Sequence, residues 1–259
     1  MEMHGGRADM ISVQNLTLSY GNEPVAENIS FDIQNGEIFC LAGESGSGKS
    51  TVLKALMHDP KVRVLSGKVT LDGMDLLADK DRSFFGSSIG MIGQNPAEAF
   101  NPIRPFKAQF RETLTSHGMK YDPDLVMDTF VQLGLKKEMA LLRRCPCEMS
   151  GGMNQRILIA LIMMLNPKVL LCDEPTSSLD VVTQKLVIDE LRAYQNQSHA
   201  AILLVTHNLG VAKALSMRTA VMKNGRIVES GETSAIFENP QSEYTRQLLR
   251  DVPRLPQDG

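Results

Sequence analysis

The stretch Gly43-Glu44-Ser45-Gly46-Ser47-Gly48-Lys49-Ser50 constrains this chain more than any other. It has the G-x-x-x-x-G-K-[ST] spacing of a phosphate-binding loop. Glu37 to Ala42 ahead of it form an apolar run suited to a buried strand, and Thr51 to Leu56 behind it suit a helix. Strand–loop–helix is the context that gives the spacing its meaning. Gly43, Gly46 and Gly48 let the backbone curl until successive N–H groups face one anion, and the helix start adds the positive end of its dipole. Lys49 then reaches the β- and γ-phosphates of a nucleotide, and the Ser50 hydroxyl holds magnesium. Glu44, Ser45, Ser47 and Thr51 complete the phosphate-contacting set.

An apolar strand, Val169-Leu170-Leu171-Cys172, ends in Asp173-Glu174. A buried strand delivers its terminal acids to the edge of the sheet where ligands bind. Asp173 is expected to serve magnesium, and Glu174 to act as general base or water-positioning residue. Pro175-Thr176 and the upstream phosphate loop set the pair apart from an ordinary solvated turn.

Ahead of the phosphate loop the pattern is that of strands. Ile11 to Tyr20 and Ile29 to Ile33 alternate, and Asn35-Gly36 is expected to turn a hairpin into the loop's strand. Lys68 to Leu71 end at Asp72-Gly73, a second turn of that chemistry, so an antiparallel sheet is expected beside the nucleotide-binding core. From Gln94 to Ser150 the period changes to helical. Phe106, Phe110 and Leu114 share a face, Asp122-Pro123 opens a second helix through Val126, Phe130 and Leu133, and Gly134 closes it. Asn154 to Leu165 predict a buried helix stopped at Asn166-Pro167. Val187, Leu191 and Tyr194 mark a helix between Val169–Cys172 and Ile202–Val205, a strand–helix–strand order that implies parallel strands. Asn224-Gly225 turns a last hairpin, and beyond Gly231 lies a polar, proline-punctuated tail.

Composition excludes some roles. A net charge of −3 writes no pull toward nucleic acid into the chain as a whole. The longest wholly apolar run, Ile157 to Leu165, is too short to span a bilayer, so a membrane role must come through a partner. Cys40 and Cys172 sit in apolar strands as small core residues; Cys145-Pro146-Cys147 has no second pair to complete a metal site. That usage suits a reducing compartment. The segment before Met10 is short and polar; either Met10 is the natural start or the segment is a disordered tail.

Ser150-Gly151-Gly152-Met153-Asn154-Gln155-Arg156 resembles the signature motif of the ATP-binding cassette (ABC) superfamily. Other positions match in order. Tyr20 resembles the adenine-stacking aromatic, Gln94 the Q-loop glutamine near magnesium, Ser178-Leu179-Asp180 the D-loop, and His207 the switch histidine near the γ-phosphate. The resemblance implies an α/β fold with a P-loop NTPase (RecA-like) core, an antiparallel β subdomain and a helical insertion. It implies a single cassette, with core at 11–93 and 154–231, insertion and signature at 94–153, and tail at 232–259. ATP and magnesium would be its cofactors. Glu174, His207 and Gln94 would be catalytic, and Ser150, Gly151, Gly152 and Asp180 would serve the nucleotide.

Partners implied are two transmembrane permease subunits, a second ATPase subunit, identical or not, and an extracytoplasmic solute-binding protein, at the cytoplasmic face of the membrane. The face bearing Phe100, Asn101 and Pro102 is expected to dock a permease loop. Gln94-Asn95-Pro96, Met153 and the tail Phe237-Glu238-Asn239-Pro240 with Glu243-Tyr244-Thr245 resemble importers of oligopeptides, dipeptides and nickel. Ala99 to Pro102 and Arg111-Glu112-Thr113 lean toward the nickel type, whereas the C-terminal cysteine cluster of many peptide-type relatives is absent after Cys172. The alternative is a soluble cassette ATPase of iron–sulfur assembly or DNA repair. The Gln94–Ser150 segment is too short for the coiled coils of the repair type.

Overall fold

Alternating apolar residues and Asx-Gly turns build the first sheet, and unbroken apolar runs build the second kind of strand. The computed structural model describes residues 9–77 and 88–250. The segment ahead of Met10, but for Asp9, therefore lies outside the described residues, as does the end of the tail. In chain order the elements are β1 (Asp9–Tyr20), β2 (Glu23–Gln34), β3 (Ile38–Ala42), α1 (Lys49–Leu56), β4 (Arg63–Leu71), β5 (Met74–Asp75) and β6 (Ile89–Ile92). They continue with α2 (Phe106–Ser116), α3 (Pro123–Gln132), α4 (Gly151–Leu165), β7 (Val169–Asp173), α5 (Val181–Ser198), β8 (Ala201–Thr206) and α6 (Leu209–Leu215). The last are β9 (Arg218–Lys223), β10 (Arg226–Glu232), α7 (Thr233–Glu238) and α8 (Glu243–Arg250). They divide into two compact units, residues 1–80 with 201–259, and residues 81–200.

In the first unit β1 pairs antiparallel with both β2 and β4. Ile11, Val13, Leu16 and Leu18 on β1 meet Ile33, Phe31, Ile29 and Ala26 on β2, and all are buried. Asp72-Gly73 turns β4 into β5 with both residues at positive φ, as a two-residue hairpin with right-handed strand twist requires. Asn35-Gly36 behaves differently from expectation. β2 pairs with β1 while β3 pairs in parallel with β8 and β9, so this turn carries the chain from one sheet to another and forms no hairpin. Here the fully buried β3 seeks parallel neighbours on both sides, which overrides the local turn signal. Arg218, at the start of β9, donates to Glu37 at 2.6 Å and Asp32 at 2.8 Å and stands over the Phe39 ring, which itself stacks on Phe31.

The polar, proline-punctuated tail carries helices that its sequence reading did not specify. Two short helices, α7 and α8, fold back so that Ile236 and Tyr244 bury against Val221, with Phe237 and Leu248 alongside.

In the second unit β6 and β7 pair in parallel. Phe106, Phe110 and Leu114 bury one face of α2, and Phe110 meets Phe130 of α3 edge to face at 5.5 Å. Asp122 caps α3, accepting from the Asp124 and Leu125 amides. Such a cap contributes about 1 kcal/mol. α4 is buried from Asn154 to Leu161, apart from half-buried Arg156, and stops at Asn166 in left-handed conformation; Val187, Leu191 and Tyr194 bury one face of α5. Burial holds the Cys40 and Cys172 thiols well above their usual range, so neither is reactive.

Candidate nucleotide site

β3 is buried at every residue and paired on both edges, a rigid base for the loop that follows. Gly43 has φ +148°, and a Cβ there would stand 2.3 Å from the Met222 carbonyl oxygen. Gly48, at φ +101°, lets the chain enter α1. The turn between β9 and β10 braces the loop, the Gly225 amide donating to the Ser47 carbonyl at 3.1 Å.

Lys49 is only 4% exposed. Its ammonium donates to the carbonyls of Gly43 at 2.8 Å and Glu44 at 2.7 Å and to Ser47 Oγ at 3.2 Å. These neutral acceptors hold the ammonium at the mouth of the loop, where an incoming phosphate can meet it. α1 starts without a side-chain cap and without an acid in its first turn, leaving its dipole end to a ligand. Ser47 and Thr51 are buried beside the loop and Ser50 is half-buried.

In the parallel register Ala42 of β3 is level with Thr206 of β8. His207 therefore leaves the sheet at the same edge as Gly43. The Asn208 amide donates to Thr206 Oγ1 at 2.9 Å, and Asn208 Oδ1 accepts from the Gly210 amide, so the turn carrying His207 is fixed on both sides. Tyr20 ends β1 with its ring 40% exposed, free to offer a face to a base.

The second unit repeats this geometry with acids. Ile92 of β6 is level with Cys172 of β7, so Gly93-Gln94 and Asp173-Glu174 leave one edge together. Gln94 Nε2 donates to Glu174 Oε2 at 3.4 Å. Glu174 has φ +48°, unusual for a residue with a side chain, and its carbonyl accepts from the Ser177 amide and hydroxyl. Strain of about 1–3 kcal/mol at such positions is commonly a mark of a functional site.

Ser150 caps α4, its Oγ accepting from the Met153 amide at 3.3 Å, and Gly151 and Gly152 form the first turn. Arg156 spans back to the Leu133 and Gly134 carbonyls, tying α4 to the end of α3. Asp180 caps α5 through the Thr183 amide and hydroxyl, bonds that hold its carboxyl below the usual range.

Within its own unit each group of expected residues is thus brought together: the loop with His207, and Gln94 with Asp173 and Glu174. Two contributors were not foreseen. Gln155, almost fully buried, donates to the Gly93 carbonyl at 3.3 Å and so holds the turn that presents Gln94. Tyr244 touches the phosphate loop at the Glu44 amide. Its motif was legible only as a likeness to importers, because nothing local announces a contact two hundred residues away.

A glycine-rich loop between a buried strand and a helix, with a buried lysine and a strand-terminal acid pair, defines a P-loop nucleoside triphosphatase. The chain belongs to the ABC transporter family, whose profile matches residues 26–177, and is an ATP-hydrolysing cassette. Similar curated proteins include the oligopeptide transport ATP-binding protein OppD of Lactococcus lactis subsp. cremoris (strain SK11), 35% identical over 87% of this chain and 69% of that protein. Another is the dipeptide transport ATP-binding protein DppD of Bacillus subtilis (strain 168), 35% identical over 96% of this chain and 78% of that one. Among solved structures, a dimeric ATP-binding cassette in a post-hydrolysis state bound to ADP and Pi shares the fold, with TM-score 0.75 and 24% identity over 86% of this chain and 99% of that one.

Proposed function

We propose that this chain is the ATP-hydrolysing subunit of an importer of oligopeptides or dipeptides. It would work at the cytoplasmic face of the membrane with two permease subunits, a second ATPase subunit and an extracytoplasmic solute-binding protein. The observation that carries the reading is the Lys49-centred phosphate loop in a chain 35% identical to relatives named for oligopeptide and dipeptide transport. No described helix is long and apolar enough to cross a membrane.

Lys49 neutralises the β- and γ-phosphates, and the loop amides supply the remaining donors. The Ser50 hydroxyl, the Asp173 carboxylate and the Gln94 carboxamide are hard oxygen donors of the kind magnesium prefers. When bound, that ion spreads the charge developing on the transferred phosphoryl group. Glu174 orients the attacking water and accepts its proton, with Gln94 holding the carboxylate and His207 facing the γ-phosphate. Ser150 keeps its own hydroxyl proton while capping α4, so it remains a donor for the γ-phosphate of a second subunit's nucleotide. Beside Asp180, Val181 and Val182 are about 80% exposed, an apolar pair suited to contact with that second subunit.

The permease-facing surface differs in one residue from expectation. Phe100 is buried edge to face against Phe106 and cannot dock anything; Asn101, Pro102 and Ile103 are exposed instead. Beside them Pro105, Lys107, Ala108, Arg111 and Arg143 line a cavity of about 250 Å³. The residues that lean toward nickel have local duties. Gln109 bonds Asn101 and Arg104 backbone groups, and Glu112 pairs with Arg104. These duties account for the segment without reference to the solute, and the relatives' names favour peptides.

The test is uptake in cells lacking this chain. Uptake of a labelled tripeptide should be lost, restored by the unmodified chain and not by Lys49→Ala. Intact peptide uptake alongside lost nickel uptake would contradict the peptide reading.

A further inference from the structure

We infer that Tyr244 is a positioning residue of the phosphate loop, through which the C-terminal helix α8 supports nucleotide binding. The inference rests on the reading of this loop as an ATP site. The Tyr244 hydroxyl oxygen accepts from the Glu44 amide at 3.4 Å, and the phenol lies beside the Glu44 carboxylate. The ring is buried against Val221 and Ile236, and the Lys223 ammonium stands 4.4 Å from its centroid.

The helix carrying the phenol is itself fixed. Glu229 of β10 accepts from the Gln241 amide at 2.7 Å and the Ser242 amide at 3.1 Å, just ahead of α8. Arg246 of α8 closes the turn by donating to the Pro240 and Gln241 carbonyls. A chain of contacts thus runs from β10 through α8 to Glu44.

The effect falls on the amide side of Glu44. Ser47 is braced by the Gly225 amide and Lys49 binds the Gly43 and Glu44 carbonyls, but the Glu44 amide is turned by Tyr244. Once ATP draws Lys49 toward its phosphates, the Glu44 carbonyl still accepts from the Ser47 amide at 3.2 Å, and the Tyr244 contact helps to hold the Gly43–Glu44 peptide on its amide side. Its loss makes the loop pay ordering entropy on binding. Affinity falls, and the chemical step at saturating ATP is touched less.

The experiment compares the full chain with Tyr244→Phe, Glu229→Gln and the double variant by calorimetric titration with ATP, steady-state turnover and thermal melting without nucleotide. Tyr244→Phe keeps the ring and removes one long hydrogen bond, so melting should fall only slightly while Kd and KM for ATP rise about two- to tenfold, the range of one hydrogen bond, with kcat falling less. Glu229→Gln should weaken ATP in the same direction. The double variant should be no worse than the worse single one, since both act along one chain of contacts. An unchanged Kd for Tyr244→Phe, a loss of its affinity matched by an equal loss of its own stability without ATP, or additive losses in the double variant would each overturn the inference. If the unmodified chain itself binds no ATP, the nucleotide reading fails instead.

Discussion

Lys49 shows how a single residue carries the site. Burying an ammonium is costly unless its donors are met, and here two carbonyls and a hydroxyl accept from it. Substitution by alanine leaves these acceptors with less to bind and the β- and γ-phosphates with no facing cation. ATP binding should weaken and hydrolysis should fall below detection while circular dichroism stays native. Gly43 makes a second residue-scale case. Its φ of +148° and the 2.3 Å approach of the Met222 oxygen leave no room for a side chain. Gly43→Ala should lower unfolding stability by about 2 kcal/mol or more, read from the denaturant midpoint. The loop's glycines and lysine were legible because the motif depends on chain spacing alone. The positive φ of Glu174 was not, since no feature of its neighbours demands it.

At the scale of elements, legibility followed the strength of the apolar pattern. α2, α3 and α5 bury the faces their periodicity predicts, because each has three bulky residues at helical spacing. α8 buries only Tyr244 and Thr245, too few for a stripe, and its place is decided by Glu229 and by packing on Val221. Burial raises the Glu229 pKa, but the Thr245 hydroxyl, the Gln241 and Ser242 amides and the Arg246 charge outweigh it and leave the carboxyl below its usual 4.5. A carboxyl depressed in the folded state adds stability above its unfolded pKa and loses it as pH falls through the folded one. Glu229→Gln should therefore melt earlier than the unmodified chain at neutral pH. The gap should begin to close near pH 4.5, the ordinary glutamate value, and be gone once the native carboxyl is protonated. A gap that persists at the lowest pH would mean that Glu229 acts by shape and not by charge.

At the scale of the molecule, each compact unit gathers one group of the expected residues at its own strand ends: the phosphate loop with His207, and Gln94 with Asp173 and Glu174. The order of motifs along the chain made this legible as a cassette, whereas Asn35-Gly36 misled because a turn's sequence cannot say which sheet receives the next strand. The central claim is that the chain hydrolyses ATP with Glu174 as the water-orienting base and closes with a second subunit on bound ATP. Glu174→Gln preserves shape but accepts no proton, so turnover should fall about 10²- to 10⁴-fold while binding survives. Size-exclusion chromatography of Glu174→Gln with ATP and magnesium, alone or with a candidate partner ATPase, tests this most directly. A shift to dimer that Ser150→Arg abolishes is predicted. A monomer under both conditions, or turnover near that of the unmodified chain, would contradict the account.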